Sequence, residues 1–193
     1  MSYTINIYNR MAADYVNLTK GHAPQELVDF IAAMRPGGRV LDLGCGPGHH
    51  AAEMAAAGLD VLAVDGSAEM IALASKIPGV TARQALFDDI PDSGPVDGVW
   101  ASFSLLHAAR ADMPRHLAAL HVLCTPNAPI SLGMKLGTGE KTDKLGRFYT
   151  YYTEDELNML LTQAGFTLKS ALHGAGKGLA GDVEDWIVIN AHA

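Results

Sequence analysis

The chain has 193 residues, of which 49% are hydrophobic and 18% charged, a composition typical of a soluble globular protein with one substantial core. Its formal net charge of −7, without any run of Lys or Arg, argues against nucleic acid or an anionic membrane as the main partner. The sequence has two cysteines, and it shows neither a basic and apolar leader nor an apolar run of roughly 20 residues. These features favour a cytoplasmic protein without a disulfide framework or a metal cluster.

Two helical segments come first along the chain. Residues 3–20 carry tyrosine and aliphatic side chains at a partly helical spacing, and this segment either covers the mouth of a later turn or packs on a sheet edge. Pro24 opens the next helix, and the Pro-Gly-Gly sequence at 36–38 stops it. Residues 1–36 are therefore predicted to form an N-terminal helical cap.

A glycine-rich turn follows the first predicted strand. In the stretch Val40–Gly48 an apolar run precedes three glycines at alternate positions, and a helix is predicted from His49. Glycine is needed where φ is positive or where a ligand lies too close for a Cβ, and a helix start offers free N–H groups. A dinucleotide-binding turn needs its last glycine at position 49, which is histidine here. The turn predicts a nucleotide-like ligand; the alternative is a connection that binds nothing.

The second predicted strand, Val61–Asp65, ends in a carboxylate. Asp65 lies 21 positions after Gly44, where a doubly wound fold holds the acid that binds the two ribose hydroxyls. A carboxylate has two acceptor oxygens and can accept both hydroxyl protons. The alternative role for Asp65 is an N-cap of the helix that begins near Ser67.

Strands and helices alternate along the rest of the chain. Further strands are predicted at 80–86, 96–101, 130–134, 166–172 and 183–190, and further helices at 67–75, 113–124 and 153–165. A polar, glycine-containing insert occupies residues 135–152. This alternation indicates an α/β fold, with an open and mostly parallel sheet, helices on both faces and a single domain over 1–193.

Several stretches together resemble the class I S-adenosylmethionine-dependent methyltransferases, in the short form that is similar to small-molecule enzymes. Val40–Gly48 resembles their first motif, Leu62–Met70 their second, Arg83–Ile90 their adenine-binding loop and Asp97–Ser102 their fourth motif. The resemblance implies a doubly wound seven-stranded sheet whose last strand is antiparallel, with S-adenosylmethionine above the carboxyl ends of the strands. The acidic residue that the family often has beside the adenine is missing from 84–87.

The resemblance also implies roles for particular residues. The main chain of Gly44–Gly46 would face the methionine end of the cofactor, Asp42 would support that turn, and Asp65 would bind the ribose. The full implied cofactor set is Asp42, Gly44, Cys45, Gly46, Asp65, Gly66, Met70, Leu86, Phe87, Ala101 and Ser102. In this set Gly66 and Met70 would line the adenosine, Leu86 and Phe87 would border the adenine, and Ala101 and Ser102 would lie near the methionine amine.

Methyl transfer from a sulfonium is an in-line displacement, so the enzyme mainly aligns and desolvates the reactants. A general base helps when the acceptor is a hydroxyl or an ammonium. His107, after the fourth strand, is the predicted base because its ordinary pKa suits proton removal near neutrality; the alternative is a histidine that caps or packs at the next helix. His49 and His50 are expected at the helix start or the surface rather than as ligands.

The insert at 135–152 is the predicted acceptor-binding element, because substrates of the family usually enter over that edge of the sheet. Lys135, Arg147 and Tyr149 are its candidate ligands for an anionic or aromatic acceptor, and the alternative is that the tyrosine packs the insert. We therefore predict a small-molecule methyltransferase, monomeric or homodimeric, with no nucleic-acid, membrane or metal partner.

Two rival functions belong to other classes. A nicotinamide-dependent oxidoreductase requires glycine at position 49 and a catalytic pair such as Tyr-x-x-x-Lys, and the sequence has neither. A non-catalytic module that binds the cofactor and regulates a partner would keep the same binding motif, so the sequence leaves it open.

Overall fold

A computed structural model of the chain describes residues 2–19, 21, 23–90 and 94–193. The helices are α1 Ser2–Arg10, α2 Ala12–Thr19, α3 Gln25–Ala33, α4 His49–Ala56, α5 Ala68–Ala74, α6 Met113–Leu123 and α7 Glu154–Gln163. The strands are β1 Arg39–Leu43, β2 Asp60–Asp65, β3 Val80–Gln84, β4 Gly98–Ser102, β5 Pro129–Lys135, β6 Glu140–Thr142, β7 Phe148–Thr150, β8 Thr167–Lys177 and β9 Val183–His192. Within these ranges, no helix has the length and apolar character needed to cross a bilayer.

The main sheet has seven strands in the order β3-β2-β1-β4-β5-β9-β8. The neighbouring pairs from β3 to β5 are parallel, whereas β9 runs antiparallel to both β5 and β8. The predicted α/β class, with a seven-stranded sheet and an antiparallel last strand, is confirmed. The strand order reverses between β1 and β4, so a crevice lies at their carboxyl ends, where ligands of open α/β sheets bind.

The core is divided between the two faces of this sheet. On β1, Leu41 and Leu43 belong to one buried cluster, and Val40 belongs to the other, because successive side chains of a strand point to opposite faces. Trp100 of β4 lies in the second cluster, against Phe30 of α3. The crevice thus has a rigid floor that is packed on both sides.

Several element boundaries differ from the sequence-based expectation. The predicted helix at 3–20 is two helices, α1 and α2, which meet at Met11. β3 ends at Gln84 rather than at position 86, because the chain then turns, with the Asp89 N–H donating to the Leu86 carbonyl. β4 begins at Gly98, since Val96 forms only an isolated bridge with Cys124.

The C-terminal hairpin also differs from the expectation, because its first strand is longer. The insert has secondary structure of its own. β8 continues to Lys177 because it pairs with β9 up to that residue, with one register shift between Leu168 and Ser170. The insert contains a small hairpin of β6 and β7. At α7 the expected capping box is present, with the Thr153 side chain accepting from the Glu156 N–H.

Candidate active site

A cavity of about 530 Å³ begins at the glycine turn and extends along the carboxyl ends of β4 and β5 and the amino-terminal half of β9 towards the insert. A second cavity of about 80 Å³ adjoins it, between α1 and the loop after β3. The two cavities share lining residues, including Tyr8, Gly46 and Ser102. The larger volume is in the range typical of small-molecule sites.

Gly44 and Gly46 of the turn differ in what surrounds them. Gly44 has a φ of 74°, and a Cβ there would lie 2.2 Å from the Cβ of Ser104, so the fold itself excludes a side chain. Gly46 has a φ of 53°, and its added Cβ would meet only the ring of Tyr15, at an ordinary 3.5 Å. The space between Gly46 and α2 is therefore open, and the packing of the sheet does not explain why this residue is glycine.

Asp65 joins the glycine turn to the start of α5. Its Oδ2 accepts from the Gly46 N–H at 2.9 Å, and its Oδ1 accepts from the Ser67 N–H at 2.8 Å. Burial raises the pKa of Asp65, and these two N–H donors oppose the rise. The N-cap of α5 is Ser67, which accepts from the Met70 N–H, so that alternative role for Asp65 is filled by another residue. Each carboxylate oxygen retains acceptor capacity for a further hydrogen bond.

Asp42 lies at the carboxyl end of β1, with only 2% of its surface exposed. Its Oδ2 has no hydrogen-bond partner among the described residues, although it lies in the wall of the larger cavity. Burial and the nearby charge of Asp65 raise the pKa of Asp42 to about 8. A buried acceptor without a donor is costly, so this oxygen is a candidate contact for a cationic ligand group. Burial also raises the pKa of the Cys45 thiol, which keeps it protonated.

The smaller cavity is largely apolar. It is lined by Gly66, Met70, Leu86 and Phe87, among other residues. Ile5 of α1 covers Gly66, where an added Cβ would lie 2.8 Å from the Ile5 Cδ1. α1 therefore forms part of the wall of the smaller cavity.

Two predicted residues at the end of β4 have different surroundings. Ser102 lines both cavities, whereas the Ala101 side chain is completely buried in the core of the sheet. Any contact of Ala101 with a ligand would have to come from its main chain.

His107 lies in a short 3₁₀ turn after β4, and both of its ring nitrogens are engaged. Nδ1 is 2.6 Å from the Phe148 carbonyl, which can only accept, so Nδ1 carries the proton. Nε2 is therefore the acceptor for the Tyr8 hydroxyl, at 2.9 Å. Burial, with a smaller contribution from the charge of Arg147, lowers the pKa of His107 to about 4. The imidazole is neutral, and its basic nitrogen is covered by Tyr8.

The three residues predicted to bind the acceptor meet in the wall of the larger cavity. Arg147 is buried, and its Nε and Nη2 donate to Asp143 at 2.9 and 2.7 Å. Its Nη1 donates to the Tyr8 hydroxyl at 3.1 Å. The Lys135 ammonium lies 3.9 Å from the centroid of the Tyr149 ring. This wall combines two cations with aromatic faces.

Both of these cations have a carboxylate partner. Asp143 pairs with Arg147, and Glu184 of β9 pairs with Lys135. The guanidinium of Arg147 also lies 5.2 Å from the centroid of Tyr149. The cations are thereby fixed in position along the cavity wall.

Sequence reasoning missed several residues of the site. Tyr8 lines both cavities, and no local pattern connects it with His107. Phe103 follows β4 with an unfavourable φ of 54° and lies edge-on to Trp186 of β9. His50 does lie in the first turn of α4, as expected, but its ring lines the larger cavity beside Trp100. A strained aromatic residue at a strand end is a sign of function that only the backbone angles reveal.

Comparison with known proteins gives a consistent result. Residues 40–127 match the family model described as a methyltransferase domain. An uncharacterized methyltransferase of Synechocystis sp. is 28% identical over 155 residues, which cover 70% of each chain.

Solved structures share the fold. An S-adenosylmethionine-dependent methyltransferase of Methanosarcina mazei has a TM-score of 0.72 at 19% identity, over 83% of this chain and 94% of its own. A 1,6-didemethyltoxoflavin-N1-methyltransferase of Burkholderia thailandensis, with bound 1,6-didemethyltoxoflavin and S-adenosylhomocysteine, has a TM-score of 0.76 at 23% identity. That match covers 97% of this chain and 86% of the Burkholderia protein.

Proposed function

We propose that the chain is a class I S-adenosylmethionine-dependent methyltransferase and that it methylates a small molecule by direct displacement. The observation that carries the proposal is the cavity of about 530 Å³, which is continuous from Gly46 to Arg147. It has room for the methionine end of the cofactor and a compact acceptor. Its far end is lined by charged and aromatic side chains, as expected for recognition of one small molecule rather than a polymer.

The residues present fit the cofactor. Asp65 keeps acceptor capacity towards two ribose hydroxyls, and Gly46 leaves the open space that a ligand against the main chain needs. The apolar surfaces of Met70 and Leu86 suit an adenine. When bound, S-adenosylmethionine supplies an electrophilic methyl group and its own leaving group.

This chain's own residues would align and desolvate the acceptor. Lys135 and Arg147 are each paired with a carboxylate, so they favour an acidic acceptor through N–H hydrogen bonds rather than through an uncompensated positive charge. An anionic acceptor already carries the electron pair for the displacement and needs no proton transfer. The aromatic rings of Tyr149 and Trp186 would bind a flat molecule by stacking or edge contacts. The acceptor class is therefore a small aromatic acid or acidic hydroxyl compound.

His107 was the predicted base, and its surroundings favour a more indirect role. Its pKa of about 4 makes it a weak base at neutral pH, and Tyr8 occupies its basic nitrogen. We infer that Tyr8 touches the acceptor, and that His107 and Arg147 hold the Tyr8 hydroxyl in place.

The test is turnover with S-adenosylmethionine and a panel of small aromatic acids and phenols, with release of S-adenosylhomocysteine as the measurement. Tyrosine-containing peptides and transfer RNA serve as polymer acceptors in the same assay. Turnover of panel members alone supports the proposal, and turnover of a polymer alone overturns it. Tight cofactor binding without turnover of any acceptor favours a non-catalytic regulatory module instead.

A further inference from the structure

His50 and Trp100 form a hydrogen-bonded pair in the wall of the larger cavity. The indole Nε1 of Trp100 lies 3.0 Å from Nδ1 of His50, and the two rings are nearly perpendicular. An indole N–H can only donate, so Nδ1 of His50 must be the acceptor. His50 therefore carries its proton on Nε2.

This contact also keeps His50 neutral. A second proton on the imidazole would have to go to Nδ1, where it would oppose the Trp100 N–H. Burial acts in the same direction and lowers the pKa of His50 to about 4. With Trp100 only 2% exposed, the pair is held firmly in the wall. Near neutral pH, His50 is thus a fixed N–H donor without charge.

Asp42 lies at the same end of the cavity. It is the parallel-register partner of Trp100 on the neighbouring strand, and both residues line the cavity with His50. Its Oδ2 is buried and has no hydrogen-bond partner within the described part of the chain. The cavity end next to Gly44 and Cys45 therefore offers one unsatisfied acceptor and one neutral donor.

We propose that His50 donates its Nε2–H to the carboxylate of the methionine end of S-adenosylmethionine, while Asp42 accepts from the ammonium of the same group. An α-amino acid end carries one anionic and one cationic group, and the wall offers a partner for each. A cationic side chain at this end of the cavity would compete with the ligand ammonium for Asp42. The neutral histidine leaves Asp42 free for the ligand. The inference rests on the proposed cofactor site.

The test compares two ligands by calorimetric titration: S-adenosylhomocysteine and methylthioadenosine, which lacks the amino-acid end. His50→Ala is expected to weaken S-adenosylhomocysteine about 10-fold to about 100-fold, because a hydrogen bond to a charged group is lost. Binding of methylthioadenosine should change less than about twofold. His50→Gln, which keeps an N–H donor, should recover part of the loss. His173→Ala, a half-exposed histidine on β8, is the control and should change neither affinity.

A second readout concerns the histidine itself. Nitrogen NMR of the ligand-free protein should show His50 protonated on Nε2, with no titration between about pH 5.5 and about pH 8. Trp100→Phe should free Nδ1 and move the titration of His50 upward. A wild-type His50 that titrates near its ordinary pKa would overturn the assignment of the donor.

The outcomes separate this inference from the assignment of the cofactor site. If the wild-type protein binds neither ligand, the proposed cofactor site is wrong. If it binds S-adenosylhomocysteine and His50→Ala weakens both ligands equally, or neither, the cofactor site stands and the role of His50 is wrong.

Discussion

The two adjoining cavities together contain a proposed cofactor half, around Gly46 and Asp65, and a proposed acceptor half, around His107 and Arg147, and these two halves are built in different ways. The cofactor half comes from one short section of the chain, in which Asp65 accepts from the main-chain N–H groups of Gly46 and Ser67. The acceptor half joins side chains that are far apart in sequence: Tyr8 to His107 across 99 positions and to Arg147 across 139. A local, main-chain site can be recognised from spacing, whereas a site made of distant side chains depends on the whole fold.

The halves also differ in charge. Asp42 and Asp65 have no cationic side chain paired with them among the described residues, and burial raises the pKa of both. In the acceptor half, Lys135 and Arg147 each have a carboxylate partner. The cofactor half therefore offers carboxylates without a cationic partner to a cationic or hydroxyl-bearing ligand. In the acceptor half, the charges of the paired side chains already neutralise each other.

The largest expected effect separates two glycines of the cofactor half. Gly44→Ala should lower the free energy of unfolding by about 3 kcal/mol or more, because its Cβ would overlap Ser104 and φ is positive. Gly46→Ala should cost only about 1 kcal/mol, from its positive φ alone. Urea unfolding measures both. Equal losses would mean that the turn is purely structural at both positions.

A larger substitution at Gly46 tests whether a ligand occupies the open space beside the turn. Gly46→Val should prevent binding of S-adenosylhomocysteine in a protein that still unfolds cooperatively, since the larger side chain fills the open space beside the turn. Calorimetric titration provides the measurement, with Gly58→Val as a control at a positive-φ glycine that has no atom within 4 Å of its added Cβ. Retained affinity in Gly46→Val would contradict the assignment.

The next effect belongs to the acceptor half. Arg147→Met should lower the free energy of unfolding by about 2–4 kcal/mol, because Asp143 would lose the partner of a largely buried ion pair. Adding Asp143→Asn should recover much of that loss, since the uncompensated charge is removed. If the halves are independent, affinity for S-adenosylhomocysteine should change little in either variant. A parallel loss of cofactor affinity would show that the two halves are coupled through Tyr8.

The fold was predicted correctly from the sequence, and the proposed cofactor half was assigned to the glycine turn, because both rest on local signals. Alternating strands and helices, the glycine turn and the spacing to Asp65 all lie within short windows. The capping box at Thr153 is equally local. The early end of β3 at Gln84 was missed because the apolar residues that follow continue the pattern of a strand, whereas Ala85 and Phe87 pack against the core beyond the end of that strand.

The acceptor half was predicted only as a segment. The insert drew attention to Arg147 and Tyr149, but the covering of His107 by Tyr8 depends on where α1 docks. That docking uses the Thr4 hydroxyl, which accepts from the Phe148 N–H, 144 positions away. At the cavity end next to Gly44, the hydrogen bond between His50 and Trp100 likewise spans 50 positions. Contacts at such separations are set by strand order, which residue spacing does not encode.

Asp65→Asn should weaken S-adenosylhomocysteine by about 1.5–3 kcal/mol, because the charge-assisted hydrogen bonds to the ribose are lost. Asparagine keeps one acceptor oxygen, so one of the two main-chain N–H bonds can persist and the fold should survive. Calorimetry gives the affinity, and Asp60→Asn on the exposed start of β2 is the control. Unchanged affinity would remove Asp65 from the ribose site.

Tyr8→Phe should reduce kcat/KM for the acceptor about 3-fold to about 10-fold, which corresponds to one lost neutral hydrogen bond. The phenol would no longer be held between His107 and Arg147. Affinity for S-adenosylhomocysteine should stay within about twofold, because the acceptor half is the part affected. Tyr3→Phe, an exposed tyrosine of the same helix, is the control. An equal loss in both variants would indicate a general effect on α1.

A further expected effect is a pH dependence that arises from Asp42. Its carboxyl keeps a proton to about pH 8 in the folded chain, whereas in the unfolded chain it ionises near pH 3.9. The unfolded state therefore binds fewer protons in this window, and the free energy of unfolding falls as pH rises. Below about pH 6.5 the lowered pKa values of His50 and His107 act in the opposite direction, because the unfolded chain then binds more protons.

The interval from about pH 6.5 to about pH 8 isolates Asp42 from these histidines. Wild-type stability should fall by about 1–2 kcal/mol across it, and Asp42→Asn should show a flatter profile. Saturating S-adenosylhomocysteine should flatten the wild-type profile as well, because a bound ammonium beside Asp42 favours its ionised form. Urea unfolding at several pH values measures all three profiles. If the ligand leaves the slope unchanged while it binds, its ammonium does not lie against Asp42, and the cofactor half is held by Asp65 and the main chain alone.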